Sequence, residues 1–553
     1  MKRLFVAILL SFSLVAKAAT PTTDEIQKIL VDRIDAQRQS VGIVVGIIDA
    51  DGRRIVSHGH LDAKGKRAVD GNTLFEIGSV TKVFTSLLLA DAVARGEVAL
   101  TDPVAKYLPA TVKVPERGGK KITLQDLATH TSALPRLPAN LTPANAENPY
   151  ADYTVAQMYD FLSKYELSRD IGAQYEYSNL GAGLLGHALA RRAGKDYETL
   201  VRERITAPLA MKSTTVAISE ALKPRLASGH DAQLQPAANW DLPTLAGAGA
   251  LRSSANDMLT FLAAFLGYEK SPLAPAMASM LTTRKPTGND GLKIALGWHV
   301  ASKDGREIVW HNGGTGGYRS FIGFDPKSRT GVVVLSNAAT AAGPDDIGRH
   351  LLDRDSPLAE SPKQVAADAK TFDHFVGRYE LAPNFVMTVT REGEQLFVQL
   401  TGQPKFEIFP KGDREFFLKV VEARITFEPD VDGRAPALVL HQNGRDMPAK
   451  RIEGEAPAPK ERKEIAVDPA VLERYVGRYQ LTPDFVIAIT REQNALFLQA
   501  TAQPKFPIFA ESERDFFLKA LDAQITFVVD AEGRATQLVL HQFGVDQTAK
   551  RVD

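Results

Sequence analysis

Ser79-Val80-Thr81-Lys82 is the only Ser-x-x-Lys in the 553-residue chain, and it follows Phe75-Glu76-Ile77-Gly78 at the start of an amphipathic stretch. The spacing predicts a helix over 79–95. Residues three apart share one helical face, so the Ser79 hydroxyl and the Lys82 amine can meet. A helix start adds unpaired backbone N–H groups and positive potential beside the same serine. These are parts for acyl transfer: an oxygen nucleophile, an amine whose pKa desolvation can lower, and amides ready for an oxyanion. A match or two is expected by chance in a chain of this length, so the tetrapeptide acquires meaning only from residues that join it.

Two groups join it in order along the chain. Tyr177-Ser178-Asn179 lies between the polar approach Gly172 to Glu176 and a helix beginning near Leu180, and Trp310-His311-Asn312-Gly313-Gly314-Thr315-Gly316-Gly317-Tyr318 joins two predicted strands, 306–311 and 318–325. Ser-x-x-Lys, then Tyr-x-Asn, then a basic residue with x-Gly at a strand end, resembles the serine β-lactamase and penicillin-binding family in its class C, DD-peptidase and D-aminopeptidase branch. Secondary cues of the resemblance are Leu127 to Pro135 and Gly247 to Asp257, and it covers roughly 24–353. It implies Ser79 as nucleophile and Lys82 as base, with Tyr177 sharing the base role and returning the proton to the leaving group. Asn179 would hold Lys82 and the substrate amide, and the N–H groups of Ser79 and Gly314 would form the oxyanion hole. His311, Asn312 and Gly313 form the third motif, and the glycines at 313, 314, 316 and 317 are expected to let a substrate backbone approach the strand edge, with a glycine-rich hairpin as the alternative.

His311 departs from the lysine that most β-lactamases carry on this strand. A lysine is a permanent cation, whereas histidine is mostly neutral near pH 7. A histidine here resembles the DD-peptidase, D-aminopeptidase and esterase branches, and that resemblance implies peptide or ester substrates. The leading expectation is therefore a serine hydrolase acting through an acyl-enzyme on D-amino-acid-containing peptides. Alternatives are a class C-like β-lactamase or short-chain esterase on the same residues, and a penicillin-binding sensor that does not turn over or a wall-binding protein.

The elements that must position these groups read as an α+β fold of the β-lactamase/transpeptidase type: an antiparallel sheet flanked by helices, plus a helical lobe. A helix pattern over 24–38 precedes two β-branched runs, 41–49 and 54–58, around the turn Asp49-Ala50-Asp51-Gly52. Helices dominate from 79 to about 266, with Thr123, Thr154 and Ser254 in capping positions. Strands return over 294–336, and 346–353 closes with a helix.

The remaining chain is different in character. Val376-Gly377-Arg378-Tyr379 recurs at 476–479, Gln403-Pro404-Lys405-Phe406 at 503–506, Phe416-Phe417-Leu418-Lys419 at 516–519 and His441-Gln442 at 541–542, a constant offset without a gap. Alternating apolar and polar segments such as 385–390, 395–399 and 437–440 predict a small antiparallel barrel or sandwich in each copy. They resemble the lipocalin-like domains attached to some serine hydrolases of this family. The expected division is a signal peptide over 1–18, a hydrolase domain over 19–355, a linker over 356–370, a barrel repeat over 371–453, a linker over 454–467 and a second repeat over 468–553.

Met1-Lys2-Arg3, the apolar run Leu4 to Val15 and Ala16-Lys17-Ala18 have the three regions of a secretory signal, which predicts export, most simply to a periplasm. The run is shorter than a spanning helix needs, and no later segment suits a membrane. The chain has no cysteine, which excludes disulfides and thiolate metal sites, and its 66 basic residues balance 66 acidic ones. Without a basic stripe, no nucleic-acid partner is expected. The expected partners are a small peptide, β-lactam or ester substrate, with self-association a role for the repeats; no cofactor is called for. Gly181-Ala182-Gly183-Leu184-Leu185-Gly186 spells a dinucleotide fingerprint, yet no apolar strand precedes it, so close helix packing is expected. His58-Gly59-His60 has no carboxylate at a useful sequence spacing for a metal. The recurrence of His441 as His541 reports common origin.

Overall fold

Strand β1 (Gly42–Asp49) is buried along its whole length, so it has to be covered on both faces. The period-2 alternation of a strand divides its side chains between two cores. Ile43, Val45 and Ile47 pack with Ile26, Leu30, Phe321, Val332, Val334 and Ile347, whereas Val44 and Ile48 join the large core that also holds Val83, Phe84, Phe261, Val333 and Leu335. This computed structural model describes residues 20–553 except 341, 360–364, 366, 383–384, 402–404, 419–422, 429–432, 443–444, 454–463, 483–484, 493–494, 501–504, 519–522, 543–544 and 553. The signal sequence, most of the second linker, part of the first, Gln403-Pro404, Gln503-Pro504, Lys419 and Lys519 lie outside the described residues.

The first core is closed by helix α1 (Thr23–Val31), whose Thr22 and Glu25 form a capping box, and by a C-terminal helix. The main sheet contains β1, β2 (Gly52–Gly59), β3 (Lys285–Pro286), β4 (Leu292–Ile294), β5 (His299–Lys303), β6 (Arg306–Gly314), β7 (Arg319–Asp325) and β8 (Thr330–Ser336). Its order is β2-β1-β8-β7-β6-β5-β4-β3, antiparallel throughout, so the N-terminal hairpin pairs with the last strand through Val45↔Val334. On the second face lie helix α2 (Thr81–Ala94), helix α3 (Asn179–Ala193) of the helical lobe and helix α4 (Ala255–Phe265). Helix α5 (Asp345–Leu352) returns to the first face, where Asp346 pairs with the buried Arg33. Thr123, Thr154 and Ser254 cap helices as their sequence positions predict.

Two differences from the sequence reading concern the site. The helix expected from Ser79 begins with a 3-10 turn, Gly78–Val80, and becomes α-helical only at Thr81. Strand β6 does not end at His311 but continues through Gly314, which pairs with Arg319. Glycines do not terminate it, because a β-carbon on Gly313 would run into Ile77 O, so the close approach of the strand to the Ser79 turn requires them.

Each repeat forms a closed eight-stranded antiparallel barrel, which settles the choice between barrel and sandwich. The first runs from Gly377–Ala382 to Arg445–Ile452 and closes through Arg378↔Ile452; the second runs from Gly477–Thr482 to Val545–Arg551 and closes through Tyr479↔Arg551. Their interiors are packed: Tyr379, Phe416, Ile425 and Phe427 in one, Tyr479, Phe516, Ile525 and Phe527 in the other. A short helix before the first strand supplies Phe372 or Leu472 to the same core. The Tyr379 and Tyr479 hydroxyls donate to Phe375 O and Tyr475 O, each at 2.8 Å, giving these buried phenols partners.

Candidate active site

The Ser79 turn is built by Gly78. Its φ of +48° lies in the left-handed region, and a β-carbon there would stand 2.6 Å from Gly314 N. Only glycine lets strand β6 come this close, which places the backbone N–H of Gly314 beside the Ser79 turn. Ser320 Oγ donates to Ile77 O at 2.8 Å and fixes the same junction from the next strand.

Helix α2 then delivers Lys82, which is buried. Lys82 Nζ donates to Asn179 Oδ1 at 2.9 Å and to Ala248 O at 2.7 Å, and its third tetrahedral direction meets Ser79 Oγ at 3.0 Å. Two carbonyl-type acceptors occupy two N–H groups, so the third position is a donor to Ser79 when the amine is charged and a lone pair facing Ser79 when it is neutral. Burial first, and the Arg136 charge second, hold the Lys82 pKa well below the ordinary lysine value, which favours the neutral form. The glycines of the 181–186 fingerprint account for Ala248. Gly183 lies against Leu245 and Gly186 against Gly247, so helix α3 and the 246–249 turn approach closely and aim Ala248 O at the amine. The close-packing expectation for that fingerprint therefore holds.

Tyr177 and Asn179 are held by a loop docked beneath them. Ser178 N donates to His130 Nδ1 at 3.1 Å, Ser178 Oγ to Pro135 O at 2.6 Å, and Asn179 N to Arg136 O at 2.9 Å. The His130 ring packs on Tyr177 with centroids 4.6 Å apart, and Lys82 Nζ lies 4.7 Å from the Tyr177 centroid. Burial pushes the Tyr177 phenol far above its ordinary value despite its hydrogen bond with Ser79, so the phenol stays protonated at neutral pH. The same burial holds His130 well below the usual histidine range.

His311 is buried, with its ring 6.3 Å from that of Tyr177. Its Nδ1 donates to Asn312 O at 2.6 Å, which leaves Nε2 as a lone-pair acceptor, buried and without a protein partner. Desolvation, followed by the His299 and Lys82 charges, pushes its pKa well below the ordinary value. His299, on the adjacent strand, is lowered to about 4. The strand therefore presents neutral rings where a lysine would present a cation. The Asn312 amide donates to Asp345 and so points into the fold.

At each of the glycines 313, 314, 316 and 317 a β-carbon would meet the protein itself, as expected of a tightly packed glycine-rich turn. Gly313 abuts Ile77, Gly314 abuts Gly78 and Arg319, Gly316 abuts Trp240, and Gly317 abuts Gly229. A second contact is absent from the sequence reading. Glu76 Oε1, buried three residues before Ser79, accepts from Arg252 Nη2 at 3.0 Å, Asn239 Nδ2 at 3.0 Å and Trp240 N at 3.1 Å. Glu76 thereby holds Trp240 beside Gly316. The only available signal was the pair of short segments Leu74–Glu76 and Arg252–Ser254, which form one two-stranded sheet.

Outside this site, His58 finds a carboxylate the spacing did not reveal, Asp35 Oδ2 at 2.8 Å, and no group of residues able to hold a metal occurs among the described residues. His441 and His541 each bridge a threonine and an aspartate across strands, Thr426 to Asp446 and Thr526 to Asp546, near the barrel surface.

A fold of this kind with a Ser-x-x-Lys pair facing Tyr-x-Asn defines a serine acyl-transfer hydrolase. The family model described as Beta-lactamase matches residues 28–354, and the chain belongs to that family. It is a serine hydrolase of the β-lactamase/DD-peptidase type. The D-alanyl-D-alanine-carboxypeptidase/endopeptidase AmpH of Escherichia coli K12 is 34% identical over 359 residues, 61% of this chain and 91% of that protein. Penicillin-binding protein 4* of Bacillus subtilis is 24% identical over 440 residues, 73% of this chain and 94% of the relative. Among solved structures, a beta-lactamase/D-alanine carboxypeptidase from Yersinia pestis is 26% identical with a TM-score of 0.54, covering 61% of this chain and 99% of its own. Residues 361–454 and 461–551 each match a domain of unknown function, DUF3471, so the lipocalin likeness of the barrels stays a resemblance.

Proposed function

We propose that the chain hydrolyses D-amino-acid-containing peptides of the peptidoglycan type through an acyl-enzyme on Ser79, as a DD-carboxypeptidase/endopeptidase or D-aminopeptidase. The observation that carries this reading is the contact of the buried Lys82 amine with Ser79 Oγ at 3.0 Å while Asn179 and Ala248 occupy its other donors. Neutral Lys82 takes the Ser79 proton as Oγ attacks the scissile carbonyl. The tetrahedral oxygen is received by the N–H groups of Ser79 and Gly314, preorganised by the Gly78 turn. Tyr177 hands a proton to the departing amine and is reprotonated from Lys82, so the C–N bond breaks as the serine ester forms. Water then attacks that ester with the same groups acting in reverse. Asn179 orients both Lys82 and the substrate amide.

His311 supports the peptidase reading by resemblance, since most β-lactamases carry a lysine at this position of the strand. The relatives' names include both activities, carboxypeptidase and β-lactamase. The N-terminal segment supports export to the periplasm, with residues 19–355 as the catalytic unit and the barrels over 371–453 and 468–553 as accessory modules for self-association. No helix among the described residues is long and apolar enough to cross a membrane.

A panel of acyl-D-Ala-D-Ala peptides, D-aminoacyl amides, nitrocefin and p-nitrophenyl esters, run on wild type and Ser79→Ala, tests the reading. Turnover of a D-peptide at a higher kcat/KM than nitrocefin, lost in Ser79→Ala, is expected. Faster nitrocefin turnover, or D-peptide cleavage that survives in Ser79→Ala, would overturn it.

A further inference from the structure

The site lacks an obvious place for a substrate carboxylate. His311 offers only a lone pair at Nε2, and the histidine rings nearby, His130 and His299, are held neutral by burial. Lys82 is committed to Ser79, Asn179 and Ala248. Arg319 spends its guanidinium on Thr315 O, Tyr318 O and Ala339 O, and Arg252 is paired with Glu76. Arg169 is paired with Glu176.

Arg136 is different. Its backbone is fixed, since Arg136 O accepts from Asn179 N at 2.9 Å and from Leu180 N at 3.2 Å. Its side chain is exposed and lies over Tyr177, with Cζ 5.1 Å from the ring centroid. Among the described residues no carboxylate stands within ion-pair distance of it. A guanidinium stacked on an aromatic face keeps its in-plane N–H fork open for a carboxylate.

We infer that Arg136 is the anion anchor of this site, binding a carboxylate of the substrate beside Tyr177 in place of the cation that strand β6 lacks. The inference rests on the acyl-transfer reading above and adds to it a substrate requirement, a negatively charged group within reach of the scissile bond. Two sources share that chemistry: the terminal carboxylate of the leaving D-residue and an acidic residue on the acyl side. Arg136 is also among the charges that depress the Lys82 pKa, so its effect has to be read as a preference between substrates and not as a single rate.

The test uses the full-length protein as wild type, Arg136→Gln and Arg136→Lys. One D-peptide is supplied with a free terminal carboxylate or a carboxamide, and again with an acidic or a neutral residue on the acyl side. The preference for the charged member, as a ratio of kcat/KM, is expected to fall on the order of 10- to 100-fold in Arg136→Gln, mostly through KM, and to be largely kept in Arg136→Lys. The pair whose preference collapses identifies the source of the carboxylate. An unchanged ratio in both pairs overturns the inference. A readout that needs no peptide turnover is binding of phenylboronic acid against its meta- and para-carboxy derivatives, which report on Ser79 alone. Arg136→Gln should weaken only the carboxylated probes, and equal weakening of all three contradicts the anchor. Failure of wild type to cleave any D-peptide would refute the substrate reading, while the boronates still decide the role of Arg136.

Discussion

Replacing Gly78 with alanine tests the proposed oxyanion geometry without touching a proposed reacting side chain. The residue has φ +48°, where a β-carbon costs about 1–2 kcal/mol. The new carbon would also lie 2.6 Å from Gly314 N, so either the turn or strand β6 must retreat by several tenths of an ångström. An oxyanion donor works over about 2.7–3.1 Å, and losing one costs roughly 100- to 1000-fold in kcat. Gly78→Ala should therefore fall about 100-fold in kcat on a p-nitrophenyl ester, with KM nearly unchanged, and lose at least about 1–2 kcal/mol of stability. The matching control is Gly305→Ala, where φ is +74° and no atom lies within 4 Å, so the backbone penalty arises without the collision. It should lose only that backbone penalty and keep its kcat. Steady-state kinetics, corrected for the fraction of folded protein by thermal unfolding, make the comparison. A Gly78→Ala enzyme within threefold of wild-type kcat would refute the placement of Gly314 N–H in the oxyanion site.

Glu76→Gln leaves the buried Arg252 with only the exposed Asp241, at 3.5 Å, as an anion. Because a broken buried pair costs about 3–5 kcal/mol at most, thermal unfolding should show a loss below that bound, and KM should rise as Trp240 loosens. Lys82→Met should abolish turnover yet be more stable than wild type at neutral pH. Burial lowers the folded-state pKa of Lys82, so between that value and the ordinary lysine value the unfolded chain binds more protons and wild-type stability climbs with pH. The advantage of Lys82→Met in denaturant midpoint should accordingly be greatest below the folded-state pKa and shrink toward alkaline pH; a pH-independent difference would mean that Lys82 is not depressed. His311→Lys places a cation near Lys82 and Tyr177, which lowers the Lys82 pKa further. The acid limb of kcat/KM should move to lower pH by about one unit, and an unmoved profile would remove His311 from the electrostatics of the site.

The parts of the site legible in the sequence are those carried by short spacings. Ser79 and Lys82 are one helical turn apart, Tyr177 and Asn179 share a loop, and the 311–314 run sits on one strand, so local geometry makes each group recognisable. The three-group order then implies the fold, and the β-branched runs over 41–49 and 54–58 and the 100-residue repeat supply the sheet and the barrels. What escaped depends on contacts between distant segments. Ala248 as the acceptor that fixes Lys82, His130 as the dock for the Tyr-x-Asn loop, and the Glu76–Arg252 pair each join residues tens to hundreds of positions apart. The packing of the glycines at 313, 314, 316 and 317 is hidden for the same reason. Sequence shows that a β-carbon is missing but not whether a substrate or the protein fills the space, and here Ile77, Gly78, Trp240 and Gly229 fill it.

The central claim is that Ser79 is acylated with Lys82 as its base. Rapid-quench mass spectrometry of the protein mixed with a p-nitrophenyl ester, followed by peptide mapping, measures it most directly. The account predicts one acyl group on the peptide containing Ser79, formed faster as pH rises through the depressed Lys82 pKa, greatly slowed in Lys82→Met and absent in Ser79→Ala. An acyl group on any other residue, or ester turnover undiminished in Ser79→Ala, would contradict it.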